Sequence, residues 1–178
     1  AREADQVDQA RDRYFSQFLP VFSSVLAEIA SINDLSLQYR RGWDSEQNLL
    51  EVLDSNESQD IRYGITQYGP HRADIIVKQG GVAASEVLSR GQQKMLVSAL
   101  KLAQGVIQSE IENRRCIFLV DDLPAELDEI NRGNICRFLQ QMEGQVFLTC
   151  VDDSTLKNSL DWEASVTKFH VEHGKIID

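Results

Sequence analysis

The sequence predicts an α/β fold built on a parallel sheet. The continuous apolar run Cys116-Ile117-Phe118-Leu119-Val120 carries that prediction, together with the apolar strand pattern over residues 145–150. Runs of this kind suit strands covered on both faces, as in parallel sheets, rather than strands with one wet face. Helical patterns over 88–112, 129–142 and 153–160 alternate with them. That alternation of helix and strand is the signature of α/β organisation.

The elements follow in chain order. Tyr14, Phe15, Phe18, Leu19, Phe22, Val25, Leu26 and Ile29 recur at spacings of three and four, so residues 2–31 read as helix. Pro20 is expected to kink that helix or to open a second one. Its aromatic stripe is read as core packing, with a partner-helix interface as the alternative. Leu35, Leu37 and Tyr39 alternate, which predicts a strand over 34–41. Ser45 is expected to cap a short helix ending near 54, with 54–58 as a loop. Strands are expected over 64–68 and 72–78, broken at Gly69-Pro70, and Gly80-Gly81 marks a hairpin turn before a short strand. Leu96, Leu100, Ala103 and Ile107 mark the buried face of the 88–112 helix. A strand over 166–171, a His173-Gly174 turn and Lys175-Ile176-Ile177 close the chain as a hairpin.

Composition narrows the function classes. The 178 residues are 42% hydrophobic and 26% charged, which is globular and amounts to about one domain of ~100–200 residues. No run of 18 apolar residues occurs, the length that a membrane-spanning helix needs. The net charge is -10. Residues 1–60 carry 5 basic and 12 acidic residues, and residues 61–178 carry 13 and 16. Such a chain is a poor non-specific binder of nucleic acid, so any DNA contact must use a local basic patch or another segment. Cys116, Cys136 and Cys150 form no C-x-x-C and read as free thiols of a reducing cytoplasm. No His–Cys cluster has the spacing of a structural zinc. Ala1-Arg2-Glu3 opens the chain already in a helical pattern, and the chain is expected to be a fragment of a longer protein.

The motif that carries chemistry is Ile117-Phe118-Leu119-Val120-Asp121-Asp122. It matches the Walker B pattern of nucleoside triphosphatases. A buried strand delivers carboxylates rigidly to the carboxyl edge of a sheet, where Asp121 would hold Mg²⁺ and Asp122 would orient or deprotonate the attacking water. Two adjacent acids repel without a cation or proton, which itself points to a metal. A solvated acidic loop is the alternative. Leu123-Pro124-Ala125-Glu126-Leu127-Asp128 follows, and its Leu-Asp pair falls where ABC-type ATPases carry their D-loop. Upstream, Leu88-Ser89-Arg90-Gly91-Gln92 resembles the ABC signature, with Arg90 replacing a glycine. Ser89 and the amides opening the helix form an anion site strengthened by the helix dipole. Ser89 and Gln92 equally form a capping box, and both readings hold together.

These blocks resemble the C-terminal part of the RecF family of bacterial DNA repair proteins. The residues that carry the resemblance are Leu88-Ser89-Arg90-Gly91-Gln92-Gln93-Lys94, Ala99-Leu100-Lys101-Leu102-Ala103-Gln104-Gly105 and Leu119-Val120-Asp121-Asp122. Gly69-Pro70-His71-Arg72-Ala73-Asp74 and Arg40-Arg41-Gly42-Trp43 join them. The resemblance implies part of an ABC-type, SMC-like head ATPase, with residues 1–60 as a helical arm or return segment and 61–178 as the C-terminal lobe of the head. It implies ATP and Mg²⁺ as cofactors of the intact protein, with Asp121 on the metal and Asp122 catalytic. Ser89, Arg90, Gly91 and Gln92 would meet the γ-phosphate held by the opposite protomer, and Asp128 would belong to the D-loop. It further implies an ATP-dependent homodimer that binds double-stranded DNA and gap junctions and helps RecR and RecO load RecA. The setting would be recombinational repair, replication and the SOS response in the cytoplasm.

This sequence departs from the family pattern in two places. No Gly-x-x-x-x-Gly-Lys-Ser/Thr phosphate loop occurs in it, so no nucleotide is expected to be bound by this stretch alone. Where many ABC ATPases place a histidine after the last core strand, Leu148-Thr149-Cys150-Val151-Asp152 offers none. Thr149 and Asp152 are the polar residues there, and a plain strand end is the other reading. His71 and Arg72 are read either as a contact for DNA or a phosphate, or as groups that satisfy the backbone at the Gly-Pro break. Two other functions compete with the ATPase. One is a metal-dependent nuclease using Asp121, Asp122, Glu126, Asp128, Asp152 and Asp153. The other is a non-catalytic SMC-like scaffold head.

Overall fold

The computed structural model describes residues 1–110, 113–123, 127–142, 144–156, 159–160 and 166–177. The chain forms two compact units, Ala1–Arg114 and Arg115–Asp178.

The first unit opens with α1, Arg2–Ile29, one uninterrupted helix that runs through Pro20. A proline in a helix interior leaves one carbonyl of the preceding turn without its N–H partner, and packing must offset that loss. Phe18, Phe22, Val25, Leu26 and Ile29 supply it, buried in the second half of the helix. Phe18 stacks between Tyr14 and Phe22, with ring centroids 6.0 and 5.8 Å away. The stripe is therefore core, and its main partner is α4, Arg90–Glu110. Met95, Leu96, Ala99, Leu102, Ala103 and Ile107 form the buried face of α4. The segment 1–60 and the signature-type helix thus belong to the same compact unit.

Between these helices in the sequence runs a three-stranded antiparallel sheet in the order β1 (Leu35–Arg40), β2 (Asp74–Gln79), β3 (Val82–Ala83). Its register pairs Leu35 with Gln79 and Arg40 with Asp74. Gly80 and Gly81 make the β2–β3 turn with φ of 58° and 83°, the left-handed pair that a tight hairpin requires. A single helical turn, α3 (Ala84–Val87), leads into α4.

The stretch after β1 differs from expectation. Helix α2 spans Leu49–Tyr63, with Asn48 rather than Ser45 as its cap, and Asn48 Oδ1 accepts the Leu50 N–H at 2.8 Å. The expected loop over 54–58 is helical. Ser55 Oγ donates to Glu51 O at 2.7 Å and Asn56 Nδ2 donates to Val52 O at 2.7 Å. Those polar side chains are satisfied inside the helix instead of competing with it. Gly64, at φ 70°, ends α2 in a left-handed cap. No strand forms over 64–68. A 3-10 turn at Pro70–Arg72 delays β2 to Asp74.

In the second unit β4 (Cys116–Val120) and β5 (Gly144–Leu148) pair in parallel, from Cys116↔Gly144 to Val120↔Leu148. Helix α5 (Glu129–Gln141) lies in the connection and buries Ile135, Cys136, Phe138 and Leu139. An added Cβ on Gly144 would sit 2.7 Å from Cys116 O, so the strand needs glycine there. The expectation of apolar cover on both faces is only half met. Ile117, Leu119 and Phe147 stay 64%, 79% and 48% exposed, while Phe118, Val120, Val146 and Leu148 are half-buried. Among the described residues this sheet has two strands, so one of its faces lacks a packing layer.

The helix expected over 153–160 is a 3-10 turn, Asp153–Leu156, with 157 and 158 outside the described residues. The closing hairpin is shorter than expected: β6 is His170–Glu172 and β7 is Lys175–Ile177. All three cysteines are free, and burial pushes the Cys136 thiol up to about 11.

Gly133 sits inside α5 with nothing within 4 Å of an added Cβ. Helical glycine is worse than alanine by about 0.5–1 kcal/mol. Gly133→Ala is therefore expected to stabilise the chain by that amount, read from the urea midpoint at unchanged m-value. A loss of stability would show that the α5 surface is in contact with something.

Candidate functional site

Each unit contributes one group of chemistry-bearing residues. In the first unit, Ser89 precedes α4 and forms a reciprocal capping box with Gln92. The Ser89 N–H donates to Gln92 Oε1 at 3.0 Å, and the Gln92 N–H donates to Ser89 Oγ at 3.3 Å. Gln93 Nε2 donates to Leu88 O at 3.0 Å and to Ser85 O at 3.2 Å, fixing the approach of the chain to the helix. Ser89, Arg90 and Gly91 are exposed. Among the described residues an added Cβ on Gly91 would meet nothing within 4 Å, so none of their contacts demands glycine in the first turn of α4.

In the second unit the acids lie where the apolar run placed them, directly after β4. The Thr149 N–H donates to Val120 O at 3.0 Å and carries the parallel ladder one step past the strands. Thr149 Oγ1 then donates to Asp121 Oδ1 at 2.5 Å and accepts the Asp122 N–H at 2.9 Å. Asp122 takes φ of 45°, in the left-handed region that non-glycine residues other than Asn, Asp and His seldom enter. Asp121 is exposed and Asp122 half-buried. Hard carboxylate oxygens at one strand end suit Mg²⁺, which is usually held by one or two carboxylates together with phosphate and water oxygens. The acid pair fits that ion as a partial ligand set.

Asp128 N-caps α5. Its Oδ1 accepts the Asn131 N–H at 2.9 Å and its Oδ2 accepts from Asn131 Nδ2 at 2.7 Å. The hydrogen bond from the Asn131 backbone is the main cause that holds its carboxyl below the usual range. Leu123 and Leu127 are buried on either side of residues 124–126. Those three residues, including Glu126, lie outside the described residues. Asp152 Oδ1 accepts the Ser154 N–H at 2.8 Å, and Asp153 pairs with Lys168. Among the described residues no three or more His, Cys, Asp or Glu side chains gather to hold a metal ion. The acid set of the nuclease alternative is thus not assembled within what is described.

His71 and Arg72 converge on one acceptor. His71 Nε2 lies 2.9 Å from Thr66 O, and Arg72 places Nε and Nη2 at 3.3 and 3.2 Å from it. Arg11 Nη1 donates to Pro70 O at 2.6 Å from α1. The Gly-Pro-His-Arg block also docks on the Arg-Gly-Trp block through backbone, with the Gly69 N–H donating to Gly42 O at 3.1 Å. Arg41 stacks on Trp43 with Cζ 3.9 Å from the ring centroid and reaches Asp8 at 3.2 Å and Asp5 at 3.5 Å. Both blocks therefore have structural work inside the first unit, and His71 and Arg72 remain exposed beside it.

Sequence reasoning weighed Thr149 as a stand-in for a phosphate-sensing histidine or as part of a plain strand end. The signal for its observed role is positional. With Val120 opposite Leu148, the next residues along, Asp121 and Thr149, fall side by side.

A parallel strand pair joined through a helix is an α/β unit of the kind found in the head fold of ABC-type ATPases. The comparisons with known proteins agree. A family model described as the RecF/RecN/SMC N terminal domain matches residues 25–176. The DNA replication and repair protein RecF of Pseudomonas aeruginosa (strain LESB58) is 47% identical over 173 residues, covering 97% of this chain and 47% of the relative. The RecF protein of Chromohalobacter salexigens is 46% identical over 177 residues, 99% of this chain and 49% of the relative. A solved structure of the recombination mediator protein RecF-ATP in the RecFOR pathway superposes with a TM-score of 0.65 at 22% identity. It covers 81% of this chain and 40% of that one, a likeness of fold. The chain belongs to the RecF/RecN/SMC N terminal domain family, and it spans about half the length of the curated relatives it matches.

Proposed function

We propose that this chain is part of a RecF-type DNA replication and repair protein that binds ATP with Mg²⁺ and dimerises on it. The observation that carries the reading is the acid pair, Asp121 and Asp122, at the carboxyl end of a parallel strand, in a chain whose family match spans residues 25–176. Asp121 holds the metal and Asp122 handles the attacking water. Ser89 and the amides opening α4 receive the γ-phosphate bound to the opposite protomer, and Asp128 belongs to the D-loop that follows the acid pair. Gly91 supports this assignment. A glycine with open space above it, in a helix turn that alanine would favour, leaves room for a phosphate to approach the backbone. The bound nucleotide supplies the phosphoryl group and, through Mg²⁺, charge neutralisation. The residues of this chain bind, orient and accept a proton.

DNA is the substrate surface of the intact protein, at duplex and gap junctions, with RecR, RecO and RecA as partners in the cytoplasm. The net charge of -10 confines DNA contact to local basic groups such as His71 and Arg72 or to surfaces beyond this chain. Among the described residues no helix is long and apolar enough to cross a membrane.

Ser89→Arg tests the reading. In a chain of the relatives' full length it should abolish ATP-dependent dimerisation, measured by sedimentation velocity with and without Mg-ATP. The substitution sets bulk and charge where the opposing γ-phosphate docks. A Ser89→Arg protein that still dimerised with ATP would reduce the motif to a helix cap.

A further inference from the structure

We infer that Thr149 is a positioning residue for the acid pair and is thereby withdrawn from direct contact with phosphate. The inference rests on the ATPase reading above and assigns to that site a residue that acts through Asp121 and Asp122.

The argument is one of hydrogen-bond capacity. A threonine hydroxyl has one hydrogen to give and two lone pairs. Its hydrogen goes to Asp121 Oδ1 at 2.5 Å, and one lone pair takes the Asp122 N–H at 2.9 Å. What remains is a lone pair, and a phosphate oxygen is itself an acceptor. Thr149 therefore cannot donate to a phosphate while it holds Asp121. Its backbone is committed as well, through the bond from Thr149 N–H to Val120 O at 3.0 Å. The side chain is thus fixed to the sheet at one end and to both acids at the other.

Two consequences follow for the acids. The hydroxyl on Oδ1 sets the rotation of the Asp121 carboxylate and leaves Oδ2 and the second lone pair of Oδ1 for a cation. The bond to the Asp122 amide steadies that residue at φ of 45°, a left-handed conformation that Asp tolerates better than most non-glycine residues. Catalytic groups lose rate steeply when their aim drifts by an ångström. A hydroxyl that fixes both acids from the neighbouring strand gives the pair its aim without touching the nucleotide.

The test uses Thr149→Val, which keeps the shape and removes the hydroxyl, and Thr149→Ser, which keeps the hydroxyl. In the 178-residue chain, amide exchange of Asp122 followed by NMR should quicken about three- to tenfold in Thr149→Val and stay near wild type in Thr149→Ser. In a chain of the relatives' full length, Thr149→Val should lower kcat about 10–100-fold and raise the Mg²⁺ concentration for half-maximal rate. KM for ATP should hold within about twofold, because no phosphate contact is lost, and Thr149→Ser should restore kcat. Unchanged Asp122 exchange in Thr149→Val, or a Thr149→Ser protein as impaired as Thr149→Val, overturns the inference. So does a loss confined to KM, which would mean a direct phosphate contact. If Thr149→Val does not fold, Thr149→Ser decides: retained Asp122 protection and kcat support the hydroxyl, and loss of either overturns it. Absence of turnover in the wild-type full-length chain removes the ATPase reading and the catalytic consequence, while the exchange data still judge the bridge itself.

Discussion

Asp122→Asn, in a chain of the relatives' full length, is expected to slow ATP hydrolysis by about 10²–10⁴-fold while leaving ATP binding in place. Asparagine keeps the size of the side chain and tolerates the left-handed backbone that Asp122 occupies at φ of 45°. The bond from its amide to Thr149 Oγ1 does not involve the carboxylate and survives the change. What disappears is the ability to take a proton from water. Single-turnover hydrolysis and nucleotide titration separate the two effects. Turnover equal to wild type would leave Asp122 as a strand-end acid, and no turnover in either protein would favour a scaffold head.

Gly42→Ala is expected to cost about 3–5 kcal/mol of stability, because a backbone clash and left-handed strain act together. Gly42 has φ of +97°, and an added Cβ would lie 2.3 Å from Gly69 O, 2.8 Å from Ala73 N and 2.9 Å from Arg72 C. All three are backbone atoms, so no side chain can swing aside. The bond from Gly69 N–H to Gly42 O would open, and with it the seat of the Gly-Pro-His-Arg block. Urea unfolding of the 178-residue chain gives the number, with Gly133→Ala as the opposite-signed control. A loss below about 1 kcal/mol, no more than an ordinary surface change, would mean that the two blocks do not hold each other.

Much of this was legible because local chemistry and tertiary context agree. The apolar runs before Asp121 and over 145–150 became the parallel pair, and Ser89 with Gln92 formed the reciprocal cap that their spacing requires. Asp128, singled out by its offset from the acid pair, proved to cap α5. Other features were hidden for physical reasons. Asp54 to Ser58 looked like a loop because polar residues usually compete with helix backbone, yet Ser55 and Asn56 bond back one turn and stay helical. Residues 64–68 lacked a partner strand, and a strand cannot exist on propensity alone. Thr149 was beyond reach without register, since a one-residue slip of β5 would have put another residue beside Asp121.

Helix α1 is anchored by two kinds of force along its length. From Phe18 to Ile29 it is held by buried apolar side chains. Nearer its start, Asp5 and Asp8 meet Arg41, Asp8 accepts from the Tyr39 hydroxyl at 3.0 Å, and Arg11 reaches the Pro70 carbonyl. Dispersion and water exclusion barely respond to dissolved ions, whereas the pair from Arg41 to the half-exposed Asp5 is screened as the Debye length shrinks below about 10 Å above 0.1 M salt, and the more sheltered Arg41–Asp8 pair less so. The helix is therefore tied by apolar packing along one half and by charge and hydrogen bonds along the other. Loss of charge at Arg41 removes its ties to Asp5 and Asp8 but leaves the Phe18–Ile29 half seated on α4, so salt acts first on the opening turns of the helix.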